Sequence, residues 1–196
     1  MFMEKQELTA QESLSLIESM ISKAQNRFNE NGHLYLLWGW VILFCSVVHF
    51  VLDYWNLYNK PQFVWFLTWA AVIYQMIYIA RAKRKERVKT YTDEIVNYVW
   101  LVFAITMGLI GFLVGRAGAW WLMYPVFLVL YGTPTFLSGI ILKFPPLKYG
   151  AIGCWILAIA SSFIYYKFQV LFLAMAVLSA WIIPGYLLGS RFKNQK

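Results

Sequence analysis

Polar and apolar positions in this chain separate into long blocks. After 32 mostly polar residues, apolar runs follow at 33–52, 63–80, 95–115, 120–142, 149–166 and 168–188. A hydrocarbon core about 30 Å thick is crossed by about 20 residues rising about 1.5 Å each, so every run is close to spanning length. Lipid offers the backbone no hydrogen-bond partner, which makes such runs helices rather than strands of an open sheet. A transmembrane barrel would need alternating ten-residue segments, and no such alternation appears. The pattern predicts an all-α, polytopic membrane protein: a helical segment at 1–32, a six-span domain at 33–190 and a tail at 191–196.

The polar block has its own order. Thr9-Ala-Gln-Glu12 reads as a capping box, in which a hydroxyl and a carboxylate satisfy the free amides of a helix start. Leu14, Ile17, Ile21, Ala24 and Phe28 then recur at spacings of three and four, the apolar stripe of an amphipathic helix. Its polar face offers mainly Lys23 and Arg27 as cations, fewer than a helix built to lie on lipid usually carries. Packing against the protein's own loops or a partner helix is therefore favoured over floating at the interface. Asn31-Gly32 is expected to end this helix and turn the chain into the first span. The block lacks a short apolar core and a small-residue cleavage site, so the first span should stay in the membrane.

Charge adds an orientation. Fourteen of the 17 lysines and arginines fall in the first, third, fifth and seventh extramembrane segments, and the positive-inside rule places those segments, with both termini, in the cytoplasm. The densest basic run, 81–89, directly follows the second span. At that place it meets anionic headgroups, at about 1 kcal/mol per residue, which explains the net charge of +8 without nucleic acid. Aromatic residues cluster near the ends of the runs, with Tyr35, Trp38, Tyr149 and Tyr186 as inner anchors and Trp65, Trp120, Trp121 and Tyr124 among the outer ones.

Hydrophobic residues make up 61% of the chain and charged ones 13%, about half the share in soluble domains. The sequence holds no P-loop, dinucleotide fingerprint, HExxH or CxxC, and its two histidines and two cysteines are too few for an ordinary zinc or haem site. These absences weigh against an ATP-driven pump, and no catalytic residue or cofactor is expected. Cys45 and Cys154 are expected at different depths and unpaired.

Two constellations stand out as candidate sites. Span four carries Tyr131, Thr133, Pro134, Thr135 and Ser138, where the proline frees a backbone carbonyl that neighbouring hydroxyls could satisfy. With Thr106 and Ser161 these residues form a mid-membrane hydroxyl layer, either packing between helices or the lining of a pathway. Pro184-Gly185 repeats the interruption in span six, and paired broken helices build many transporter sites. The second constellation is the outer-face pair His49 and Asp53, one helical turn apart. Gly111 and Gly115 give span three a GxxxG face, and Trp40 to Ser46, Trp100 to Thr106 and Trp155 to Ser161 share one spacing, as tandem hairpins would.

The passages ESLSLIESMI (12–21), NGHLYLLWGW (31–40) and PTFLSGIILKF (134–144) resemble small multi-pass inner-membrane proteins of Bacteroidota that carry no assigned activity. That resemblance implies a bacterial inner membrane and transfers no catalytic residue. The leading expectation is a non-catalytic scaffold or regulatory membrane subunit, with membrane lipid, a cytoplasmic protein partner bound through the N-terminal helix or 81–89, or a second copy as partners. The alternative is a small-solute transporter or channel with its pathway near span four.

Overall fold

The computed structural model describes the backbone of residues 10–85 and 91–193, and side chains over 32–81 and 94–190. Among these residues every regular element is helical. Seven α-helices follow one another: α1 (Ala10–Tyr54), α2 (Leu67–Lys85), α3 (Tyr91–Arg116), α4 (Met123–Ile141), α5 (Pro145–Ser162), α6 (Tyr166–Val177) and α7 (Ile183–Lys193). Short 3₁₀ segments at Pro61–Phe66 and Trp120–Leu122 lead into α2 and α4, and a π-helical turn at Leu178–Ile182 joins α6 to α7.

Among the described residues five stretches are long and apolar enough to cross a membrane: Gly32–Tyr54, Pro61–Arg81, Glu94–Arg116, Trp120–Ile141 and Tyr166–Ser190. The predicted fifth span becomes α5, an 18-residue helix that starts earlier than expected, on Pro145-Pro146, and so takes in Lys148. A proline at the first helical position suits a helix start because its missing N–H would be unpaired there anyway. The hairpin from α4 into α5 is closed by Lys143, which adopts a left-handed φ of 50°, while the Phe144 N–H donates back to the Gly139 carbonyl at 2.9 Å.

The expected break at Asn31-Gly32 is not present, because α1 runs through it without interruption. Gly32 is instead used for close packing: a Cβ there would sit 3.5 Å from the Gly185 carbonyl, and one on Gly185 would sit 3.0 Å from Leu36. A glycine inside a helix costs only about 1 kcal/mol, which an approach of this kind can offset. Thr9 lies outside the described residues, as do the side chains of the Leu14 to Phe28 stripe and the loop at 86–90.

Helices α1, α4, α5 and the α6–α7 pair form the inner bundle, with α4 packed chiefly on α5, and α1 chiefly on α6 and α7. In α3 only Val96 among the described side chains is buried, and in 61–81 only Ala71, so both helices flank the bundle. The seam between α1 and the stretch 61–85 is held by polar bonds. Trp38 Nε1 donates to Gln75 Oε1 at 2.6 Å, Trp65 Nε1 donates to His49 Nδ1 at 2.7 Å, and His33 meets the Tyr74 hydroxyl at 3.2 Å.

Candidate functional site

Two irregular helices meet at the centre of the bundle. Pro184 has no N–H and its ring crowds the carbonyl four residues back, at Ala180. The widened turn at Leu178–Ile182 immediately precedes it and re-spaces those carbonyls. Gly150 of α5 makes room for that turn: a Cβ there would lie 2.6 Å from both the Ala180 Cα and the Ser179 carbonyl.

The π-helical turn aims Trp181 at α4. Its buried indole Nε1–H donates to Thr135 Oγ1 at 2.9 Å, and the Thr135 hydroxyl donates in turn to the Tyr131 carbonyl at 2.7 Å. Thr135 thus uses its hydrogen as a helix-internal donor and its lone pair as an interhelical acceptor. The Tyr131 ring lies on Trp181 with centroids 4.7 Å apart, and the edges of Trp100, Phe103 and Tyr35 extend the aromatic cluster across α3 and α1.

At the rim of this cluster the Tyr35 and Ser138 hydroxyls are both fully buried and neighbour each other, without a well-formed hydrogen bond. A buried polar atom left unpaired costs on the order of 1–3 kcal/mol; the Ser46 hydroxyl and Gln169 Oε1 are two further atoms in this position. Tyr35 was expected to anchor the inner interface. It is instead 6% exposed, because the α1 face it occupies is covered by the bundle, whereas Tyr149 is 71% exposed.

The span-four candidates divide between two faces of α4. Tyr131, Thr135 and Ser138 face the core, while Thr133 and Pro134, with Thr106 of α3, line a groove between α3 and α4. Thr133 donates to the Val129 carbonyl at 3.1 Å. The two threonines therefore bond the carbonyls on either side of Leu130, whose own carbonyl is the one Pro134 frees, and Ser138 bonds none. Ser161 is remote from these groups and donates to Ala158 in its own helix at 2.9 Å.

Gln169, which no sequence motif singles out, is buried at the start of α6. Its amide nitrogen donates to the Ser161 and Ile164 carbonyls at 3.2 and 3.1 Å, clamping the end of α5. The one available signal was its position: a glutamine just inside an apolar run.

In the outer-face pair, His49 and Asp53 each have a partner on another element. His49 accepts from Trp65, and Asp53 forms an ion pair with Lys167 at 3.8 Å, so each is engaged by a different helix. No group of three or more potential metal ligands occurs among the described residues. Cys45 and Cys154 are buried free thiols. The shared Trp spacing does not mark equivalent places: Trp40 is half exposed, while Trp155 donates to the Val129 carbonyl at 3.3 Å. Nor does the GxxxG face of α3 meet a helix backbone, since Gly111 and Gly115 face the rings of Phe127 and Trp120.

Comparison of the chain with protein-family models, curated proteins and solved structures gives no match.

Proposed function

We propose that this chain is a non-catalytic scaffold or regulatory subunit of a bacterial inner membrane, with six spans and both termini cytoplasmic. In this reading it engages a soluble protein through the N-terminal half of α1. The supporting observation is the continuity of α1 over 45 residues. At about 1.5 Å per residue that helix is about 68 Å long, more than twice the thickness of a hydrocarbon core of about 30 Å. Residues 10–31 therefore extend the span as a stiff arm, about 33 Å long, and carry the apolar stripe read from Leu14 to Phe28. A stripe on an arm needs a cover, and an arm rigidly joined to the bundle can transmit a partner's position to it.

The test is gentle purification from native membranes, followed by mass spectrometry of co-purifying proteins. A stoichiometric soluble partner should be present with the full chain and lost with residues 1–30 deleted or with Leu14→Asp and Ile21→Asp combined. Identical co-purifying proteins in all three preparations would remove this reading.

A second reading, a small-solute transporter or channel, draws on one observation: the two proline-bearing helices touch directly through Trp181 and Thr135. It ranks below the first because Thr133 and Thr135 spend their hydrogens on carbonyls of their own helix. It requires that Thr133→Val and Thr135→Val abolish a solute flux into proteoliposomes at unchanged expression, and wild-type flux in both would end it.

A further inference from the structure

The groove between α3 and α4 differs from the core in both shape and lining. Its volume is about 370 Å³, within the range of about 300–1,000 Å³ typical of small-molecule sites. Its floor is Phe103, Leu130 and Pro134, and its open rim is Tyr98, Val102 and Leu137, which are 58%, 60% and 41% exposed.

The gap has a cause in the sequence. Near the Arg116 end of α3, Gly111 and Gly115 let Phe127 and Trp120 approach, a Cβ at these positions meeting the rings at 3.6 and 3.3 Å. At the other end no glycine of α3 faces α4, and Pro134 presents a ring where a longer side chain would fill the space.

The groove also has a depth. Along α3 its lining runs from Ile95 to Thr106, a rise of about 16 Å, or about half of a 30 Å hydrocarbon core. It thus begins beside Glu94, at the polar end of the span, and stops near the midplane. Both helices that wall it lie in stretches suited to crossing a membrane. A ligand arriving sideways through the rim, over the depth of one leaflet, is a lipid chain.

The helix ends on the Glu94 side add charge. Lys143 lies two residues past α4, Lys148 in the first turn of α5, where it packs on Gly139, and Arg81 one turn before the end of α2; none of them lines the groove. Glu94 is the opposing charge, and it accepts the Tyr98 hydroxyl at 3.4 Å. Among the described side chains cations outnumber it at these helix ends, and each basic residue near a surface favours an anionic headgroup.

We propose that the α3–α4 groove is a binding site for one acyl chain of an anionic phospholipid, held in the leaflet on the Glu94 and Lys143 side. The proposal is independent of any protein partner. Because Phe103 both lines the groove and packs on Tyr131, the chain would lie one ring away from the Trp181 cluster.

The full-length protein, reconstituted in vesicles of equimolar phosphatidylcholine and phosphatidylglycerol, is irradiated with a phosphatidylglycerol bearing a diazirine on its acyl chain. Label is then mapped by peptide. Peptides covering 95–106 and 130–137 should be labelled about tenfold more than the exposed α2 face at Trp69 and Ile73, the ratio given by about 1.4 kcal/mol of preference. Thr106→Phe, which fills the groove, and Val102→Trp, on its exposed rim where folding should tolerate it, should each bring that ratio close to one. Label spread evenly over α2 and α3, or a ratio unchanged by both substitutions, overturns the site. Equal labelling by a phosphatidylcholine probe with the same chain overturns the choice of an anionic lipid.

Discussion

The indole of Trp181 and the hydroxyl of Thr135 form a 2.9 Å hydrogen bond that ties a π-helical turn to the proline-bearing turn of α4. Trp181→Phe keeps the ring contact with Tyr131 and removes the donor, whereas Thr135→Val removes the acceptor. Interhelical hydrogen bonds in membranes average about 0.6 kcal/mol, so a double-mutant cycle should return a coupling of that order. Reversible unfolding in mixed micelles measures it, and additive effects of the two substitutions would show that the bond contributes nothing.

Gly150 and Gly108 make a matched pair of tests. Gly150→Ala places a methyl against backbone atoms of the π-helical turn at 2.6 Å, which cannot move aside as a side-chain tip can. A loss of about 1–3 kcal/mol is expected, the usual cost of overpacking. Gly108 has nothing within 4 Å of its would-be Cβ, so Gly108→Ala should stabilise α3 by up to about 1 kcal/mol through helix propensity. Thermal unfolding midpoints of the two variants should move in opposite directions.

Tyr35→Phe removes a fully buried hydroxyl that neighbours Ser138 and leaves the edge contact with Trp100. Stability should change by less than about 1 kcal/mol, because the hydroxyl makes no well-formed hydrogen bond. A clear loss in the same unfolding measurement would mean that the hydroxyl is bonded to water or a ligand.

For Gln169 a loss is expected. Gln169→Leu removes a side-chain donor from the Ser161 carbonyl, which keeps the Ile164 N–H, and from the Ile164 carbonyl, but also removes the unpaired Gln169 Oε1, so the loss should be about 1 kcal/mol. Hydrogen exchange should rise selectively at the end of α5; unchanged protection there would argue against the clamp.

Asp53→Asn should cost less than about 1 kcal/mol. Its 3.8 Å pair with Lys167 is partly exposed, and such pairs are weakened by water and salt. A larger loss, persisting at high salt, would assign Asp53 a role beyond this pair.

Much of the helical layout was legible in run lengths, because a bilayer requires about 20 apolar residues per span wherever the chain crosses it. Five such stretches are present as helices, and the special character of Pro134 and Pro184 could be read from their missing N–H groups alone. The partners of those prolines could not. Tyr35 sits near the end of a run and reads as an interface anchor, yet it is buried against Trp100. Asn31-Gly32 has the chemistry of a helix stop, yet α1 continues through it.

By itself, then, the sequence determined that this is an apolar, helical protein suited to a membrane, with its basic residues gathered on alternate segments. Only the tertiary structure decided that α2 and α3 flank the bundle, that Trp181 reaches Thr135, and that Thr133 and Thr135 face different surroundings. The reason is physical. A helix in water reveals its inner face by an apolar stripe, whereas in lipid both faces are apolar and the stripe vanishes. What then selects the inner face is the fit of small residues, rings and single hydroxyls against a neighbour, and that fit exists only once the helices are packed.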